Sequence, residues 1–583
     1  MELMTLRDAV ARHVKDGQTI AMEGFTHLIP FAAAHEIIRQ GRRDLHLVRM
    51  TPDIIYDQMI GAGSARALTF SWGGNPGVGS LHRLRDAIEH QWPRGIDISE
   101  HSHAGMAAAY TAGASNLPFG MLRGYADTDL PRVNAEVKSV TCPYSLESVA
   151  TVPALRPDLT VLHAQRADRA GNVLLQGILG AQKEAAMAAR ALVVTVEEIV
   201  DRLDAPMNAV VLPGWLVAAV ACVPGGAYPS YAQGYYSRDN AFYLAWDDIS
   251  RDRATFERWM EEHVLGVPDH TAYLRSVGVA STAASATAPT ASPPLPLGVA
   301  RDSPELAEGL PAASCQPPAA SSQLPWTPDE MMTVAAARLL WNGCVCFVGI
   351  GLPSAAANLA RHTHAPDIVL IYESGTVGTQ PDVLPLSIGD GELAATATAI
   401  VPLPEVFAYW LQGGRVDVGF LGAAQIDRFG NLNSTVIGDY AHPKTRLPGA
   451  GGAPEIAAHA RQVFVVLKQN PRTFAPTLDF RTSAGFLDGG GARARSGAAG
   501  AGPQVVITDL GVLRPARDTD ELQLVARYEG VSIDRIVKAT GWPLRVSDRV
   551  DVIEPPSWEE LRVLRDLHER TRAAHSRPVG VKY

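Results

Sequence analysis

The sequence predicts an α/β protein of two similar open-sheet domains joined by a linker. Three observations predict it. Short apolar runs end in turn residues, as strands buried on both faces of a parallel sheet do. Residues 280–323 are mostly Ala, Ser, Thr and Pro, a composition that buries too little apolar surface to offset its ordering entropy. The same order of signals recurs on both sides of that tract, which points to an internal repeat. The expected division is a first domain over residues 1–267, a flexible linker over 268–325 and a second domain over 326–583.

The repeat is read from paired segments. Residues 16–34 and 342–357 each give a polar-Gly turn, a buried strand, a Gly-containing loop, a Pro and an Ala-rich helix. Further on, QRADRAGN (165–172) and QIDRFGN (425–431) share D-R-x-G-N after an apolar strand. Taken singly, that motif could be a tight turn in which Gly supplies positive φ and Asp and Asn bond their own backbone. A helix and another apolar strand, ALVVTV or VFVVL, then follow in each half. A second Gly/Ala-rich tract, residues 489–502, reads as a mobile loop.

Composition narrows the function. At 583 residues the chain exceeds one ordinary core. A net charge of −10 argues against a nucleic-acid or membrane-surface binder. Five scattered cysteines fit a reducing cytoplasm without a disulfide framework. Cys344 and Cys346 lie in an apolar run and are expected to pack. The first 18 residues read as an amphipathic helix rather than a signal peptide, and apolar runs of membrane-spanning length are broken by Pro or charge.

In the first half, Gly24-Phe25 follows the strand predicted over 19–22, and Pro30 opens the next helix, where its missing N–H is no loss. The loop 73–80, containing Gly74 and Asn75, is either a ligand-approaching Gly-rich loop or a long turn. Glu100, His101 and His103 lie in SEHSH. On a strand the two imidazoles would share a face, as metal ligands could, but a third ligand is not evident and no metal site is assigned. The Gly/Tyr-rich stretch 225–239 either lines a cleft or packs.

The second half carries the sharper chemistry. Glu373 ends a predicted strand, residues 368–372, and ligands of open α/β sheets bind outside the carboxyl ends of strands. A carboxylate there is costly to bury unless paired, hydrogen-bonded or used; the bland alternatives are a helix cap or a solvated side chain. Ser374-Gly375 turns the backbone away. Gly349-Ile350-Gly351 precedes Pro353 at a helix start, and Gly449-Ala450-Gly451-Gly452 precedes Pro454-Glu455 at another. Free N–H groups at helix starts favour developing negative charge. Together these features suit a carboxylate nucleophile and an oxyanion hole. Lys444 and Arg446 would meet phosphates or simply be solvated.

With these residues in place, the chain resembles class I coenzyme A-transferases of the glutaconate type, with α and β subunits fused in that order. The resemblance covers nearly all of both domains and excludes the linker and residues 489–502. It is carried by Glu373-Ser374-Gly375 with Gly378, by GIGLP at 349–353, by GAGGAPE at 449–455, and by AQRADRAGN and GGAYPS on the α side. The chain departs from the family signature at Glu23, which precedes Gly24-Phe25 where Gly-Gly-Phe is usual.

The resemblance implies two CoA-transferase-like (NagB-RpiA-like) domains with Glu373 as nucleophile. Gly349, Gly351, Gly375, Gly451 and Gly452 would serve CoA binding and oxyanion stabilisation. Gly74, Asn75, Glu100 and His101 are candidates for the substrate loops. The implied substrates are coenzyme A thioesters and carboxylic acids, with no permanently bound cofactor. The expected protein is a cytoplasmic homo-oligomer without nucleic-acid or membrane partners. A hydrolase on the same fold, using a carboxylate as general base for water, is the alternative, and a non-catalytic ligand-binding protein is the distant one. Glu100 or His101 could also be the working base, with Glu373 structural.

Overall fold

A computed structural model describes residues 1–279, apart from 126 and 208, and residues 325–576. Each half builds a ten-stranded sheet. In the first half, eight strands run parallel in the order Glu2–Leu3, Ala219–Cys222, Leu192–Val200, Leu159–Asp168, Thr19–Met22, Leu45–Val48, Ala65–Phe70, Asp97–Glu100. In the second, Val369–Tyr372, Val345–Val348, Val418–Leu421, Gln462–Val466 and Pro503–Ile507 run parallel. Antiparallel strands extend this sheet at both edges. Most of the parallel strands are short runs of Val, Ile, Leu and Phe buried on both faces, as the apolar pattern predicts.

The repeat is topological. In each half the strand nearest the N-terminal side of the parallel core (Thr19–Met22 or Val345–Val348) lies between the next strand on one side and a later one on the other. The chain therefore reverses direction across the sheet at equivalent places, between Thr19–Met22 and Leu159–Asp168, and between Val345–Val348 and Val418–Leu421. Ligand crevices open at such switch points.

D-R-x-G-N is a turn in both halves. Asp168 Oδ1 accepts from Ala170 N and Asn172 N, and its Oδ2 from Asn172 Nδ2. Asp427 makes the same three bonds with Phe429 and Asn431. Gly171 and Gly430 supply φ of 83° and 69°.

The two halves share a core. Phe25, Met50, Met106 and Tyr110 pack in one apolar cluster with Phe347, Tyr372 and Phe407. A buried ion pair also crosses between them: Arg446 Nη2 donates to Glu100 Oε2 at 2.6 Å. Glu100 further accepts from Tyr440 Oη at 3.0 Å and from the backbone N–H of Ala450 at 3.0 Å. Removing one partner of such a pair strands a buried charge. Arg446→Met is therefore expected to cost about 3–5 kcal/mol, read as a lowered denaturant midpoint.

The structure corrects several expectations. Arg446 is buried, not solvated, and only Lys444 is exposed. The helix His270–Ser276 falls in the stretch assigned to the linker but packs into the first half, with Tyr273 and Leu274 in its core and His270 Nε2 bonded to Gly225 O. The remainder of that linker, residues 280–324, lies outside the described residues. Residues 489–502 are not a loose loop. They hold the short helix Ala492–Ser496, and buried Arg493 donates to the carbonyls of Ala457, Ala484, Gly485 and Gly500. Glycine there supplies turns around one multiply bonded guanidinium.

The N-terminal helix is Leu6–His13, N-capped by Thr5. Cys344 and Cys346 are buried as expected. Among the described residues no helix is long and apolar enough to cross a membrane.

Candidate active site

Glu373 is delivered by the strand Val369–Tyr372, whose last three residues are fully buried. The chain turns at once: Gly375 N donates to Tyr372 O at 3.0 Å. Gly375 has φ 102°, and a Cβ there would overlap the carbonyl oxygen of Val401, so this turn requires glycine. The Glu373 side chain is left 16% exposed, opening into a cavity of about 260 Å³ at the switch point between Val345–Val348 and Val418–Leu421. Both halves build it: Phe25, Arg49, Trp72 and His103 from the first, Gly349, Ile350, Phe420, Gly451 and Gly452 from the second.

His103 is a close polar neighbour. Its Nδ1 lies 3.2 Å from Glu373 Oε1 without forming a hydrogen bond. The ring is stacked on Phe407 at 5.8 Å with 4° between planes, and the His103 backbone N–H donates to Gly451 O. Burial lowers its pKa, against the opposing pull of Glu373. Burial thus favours the neutral imidazole, which does not lock Glu373 in an ion pair.

The glycine loop 449–452 is pinned on most of its length. Gly449 N donates to Ser434 O, Ala450 N to Glu100 Oε1, and Gly451 N to Ser71 O. Among the described residues, Gly452 N has no such acceptor. A Cβ on Gly452 would overlap Glu373 Oε1 and approach Phe407 Cζ to 2.6 Å, so the absence of a side chain leaves the carboxylate its place.

Behind this loop, Glu455 is buried and accepts from Ser102 Oγ at 2.5 Å. Burial, with a smaller contribution from the charge of Glu373, pushes its pKa up to about 8. An unfolded Glu ionises near 4.5, so the folded state binds the extra proton between those values. Stability tied to Glu455 is then full below about pH 4.5 and is lost as pH rises toward 8. Glu455→Gln keeps a carbonyl for Ser102 and removes the titration. Denaturant midpoints measured across pH 5–8 are expected to fall less steeply in this variant than in the parent.

The sequence-predicted residues divide. Glu373, Gly349, Gly451 and Gly452 line the cavity. Gly351, with φ 72°, N-caps the helix Leu352–His362 beside it, and Gly375 shapes the turn behind the carboxylate. Gly74, Asn75, Glu100 and His101 do not line it. Gly74 leaves room for the Trp72 ring, and Asn75 braces its loop by donating to Tyr243 O. Glu100 is spent on Arg446 and the glycine loop. His101 is buried against Asn134 and Tyr125, and burial lowers its pKa to about 4. It does not share a strand face with His103, because the strand ends at Glu100 and Ser102 caps the helix His103–Ala114. No group of metal-holding side chains occurs among the described residues. The stretch 225–239 packs across the halves, with Tyr231 Oη donating to Gly389 O.

Sequence reasoning missed His103 as a neighbour of Glu373, and it missed Arg49 and Trp72. Arg49 carried a usable sign: like Glu373, it is a charged residue directly after a short buried strand. Glu23, the departure from the glutaconate-type pattern, is buried, and its Oε1 accepts from Met50 N and Tyr110 Oη. Burial raises its pKa to about 7.

Comparison with known proteins gives a consistent result. The sequence profile described as coenzyme A transferase matches residues 3–222 and 329–539. One of the two chains of the 3-oxoadipate CoA-transferase of Pseudomonas knackmussii is 65% identical over 272 residues, 47% of this chain and 96% of that protein. The other chain of that enzyme is 57% identical over 255 residues, 44% of this chain and 98% of that protein. Among solved structures, the acyl-CoA transferase YdiF apoenzyme of Escherichia coli O157:H7 aligns over 95% of both chains, with a TM-score of 0.66 and 16% identity; this is a likeness of fold.

Proposed function

Because this chain belongs to the coenzyme A transferase family, we propose that it transfers CoA from an acyl-CoA to a 3-oxo dicarboxylic acid of the 3-oxoadipate kind, through a glutamyl-CoA thioester on Glu373. It carries counterparts of both subunits of its relatives in one polypeptide. The observation that most supports the route is Glu373 itself. It is a partly exposed carboxylate with no ion-pairing Arg or Lys among the described residues, in a cavity built from both halves.

The chemistry balances without a resident cofactor. The Glu373 carboxylate attacks the thioester carbonyl, and the C–S bond breaks as CoA thiolate leaves, giving an acyl-glutamyl anhydride. The thiolate then attacks the Glu373 carbonyl and expels the donor acid, leaving glutamyl-CoA. The acceptor carboxylate reverses both steps, and no net proton moves. Each tetrahedral stage places negative charge on an oxygen beside Glu373. We assign its stabilisation to the unpaired N–H of Gly452, with Gly349 on the facing strand end. The His103 ring, stacked on Phe407, flanks the carboxylate on one side. We read the enzyme as cytoplasmic and oligomeric.

Intact and peptide mass spectrometry after mixing with a panel of acyl-CoAs, without acceptor, tests this. A CoA adduct on the peptide containing Glu373, discharged by 3-oxoadipate, is expected. Release of free CoA and acid with no adduct would replace the transferase route by hydrolysis.

A further inference from the structure

A dicarboxylic acid, the substrate class just proposed and the premise here, carries a second carboxylate that the chemistry at Glu373 does not use. Burying that charge unpaired is costly, so the cavity must offer it a partner. Among the residues lining the cavity, Arg49 is the single Arg or Lys. It directly follows the strand Leu45–Val48, the topological counterpart of Val369–Tyr372, which delivers Glu373. The two halves thus bring opposite charges to one cavity from equivalent positions.

The Arg49 guanidinium is held and incompletely used. Its Nη1 donates to Asp53 Oδ1 at 3.0 Å and its Nη2 to Gly24 O at 2.8 Å, while buried Nε has no partner. Asp53 has other demands on both its oxygens: Oδ1 also accepts from Ile55 N and Oδ2 from Tyr243 Oη. Glu23, close enough to feel the Arg49 charge, is pushed by burial toward its protonated form and so competes less for it. A guanidinium offers five donors in a planar fork that suits a carboxylate. Thr26, Thr51 and Asp53 also line the cavity.

We propose that Arg49 binds the distal carboxylate of the acyl chain, with Asp53 positioning its guanidinium, and that it sets a preference for dicarboxylic over monocarboxylic 3-oxo acids. The test compares kcat/KM for CoA transfer to 3-oxoadipate and to 3-oxohexanoate, which has the same chain without the distal carboxylate. The parent is expected to prefer the diacid by about 100-fold or more. That preference should collapse toward unity in Arg49→Met/Asp53→Asn, a pair chosen to avoid stranding the Asp53 charge. Arg49→Lys, which keeps the charge and loses the fork, should retain part of it and serves if the double variant does not fold. Equal losses on both acids in either variant, or a parent that uses both acids alike, would overturn the proposal while leaving the transferase reading intact. A parent that forms no adduct and transfers CoA to no acid would overturn the functional reading on which the proposal rests.

Discussion

Glu373→Ala is expected to lower kcat for CoA transfer by on the order of 10⁵-fold or more, because it removes the carboxylate on which the proposed covalent intermediate would form. The fold should survive. The side chain is partly exposed, and the neighbouring strand contacts are made by Leu370, Ile371 and Tyr372. Circular dichroism and the thermal midpoint should therefore match the parent. Glu373→Gln is a stricter test: it keeps shape and volume but removes the nucleophilic anion, and it should be comparably inactive. Mass spectrometry of either variant after exposure to acyl-CoA should show no adduct. Near-parental transfer by the alanine variant would return Glu373 to the structural role that sequence reasoning allowed.

The second large effect is expected at Gly452. Its φ of −92° is open to any residue, so Gly452→Ala carries little backbone strain. The added methyl would nevertheless occupy the place of the Glu373 carboxylate and press on Phe407. Since Phe407 supports the His103 ring, both neighbours of the reacting atom would shift. A displacement of about 1 Å in such a site costs roughly 100-fold in rate. The loss should appear in kcat and in the rate of adduct formation. A variant that instead loses affinity for CoA with unchanged kcat would show that this glycine serves CoA docking and not the geometry of the nucleophile.

How much of this could be read from the sequence depended on how local the determining interactions are. The strand that delivers Glu373 was plain, because an apolar run meeting a charged residue and a glycine turn is a local pattern. The duplicated order of elements was plain for the same reason, and the D-R-x-G-N turns are closed entirely within five residues. The roles of Glu100 and His103 were not. Glu100 is paired with a residue 346 positions away, and nothing near either residue announces the other. His103 meets Glu373 only because Ser102 ends one element and caps the next, turning the ring toward a loop of the other half. The tract 489–502 misled because its composition is that of a loose loop, while a single arginine with four carbonyl partners fixes it.

The crossing contacts have a consequence for assembly. No half holds a working site: the carboxylate comes from one, the imidazole 3.2 Å from it comes from the other, and the glycine loop is braced by Glu100 across the boundary. Between two separate chains, completing such a site would be a bimolecular event and would weaken on dilution. Here residues 280–324 join the halves, so completion becomes intramolecular. The stoichiometry is fixed at one to one, and specific activity should hold constant at dilutions where a two-chain enzyme would come apart.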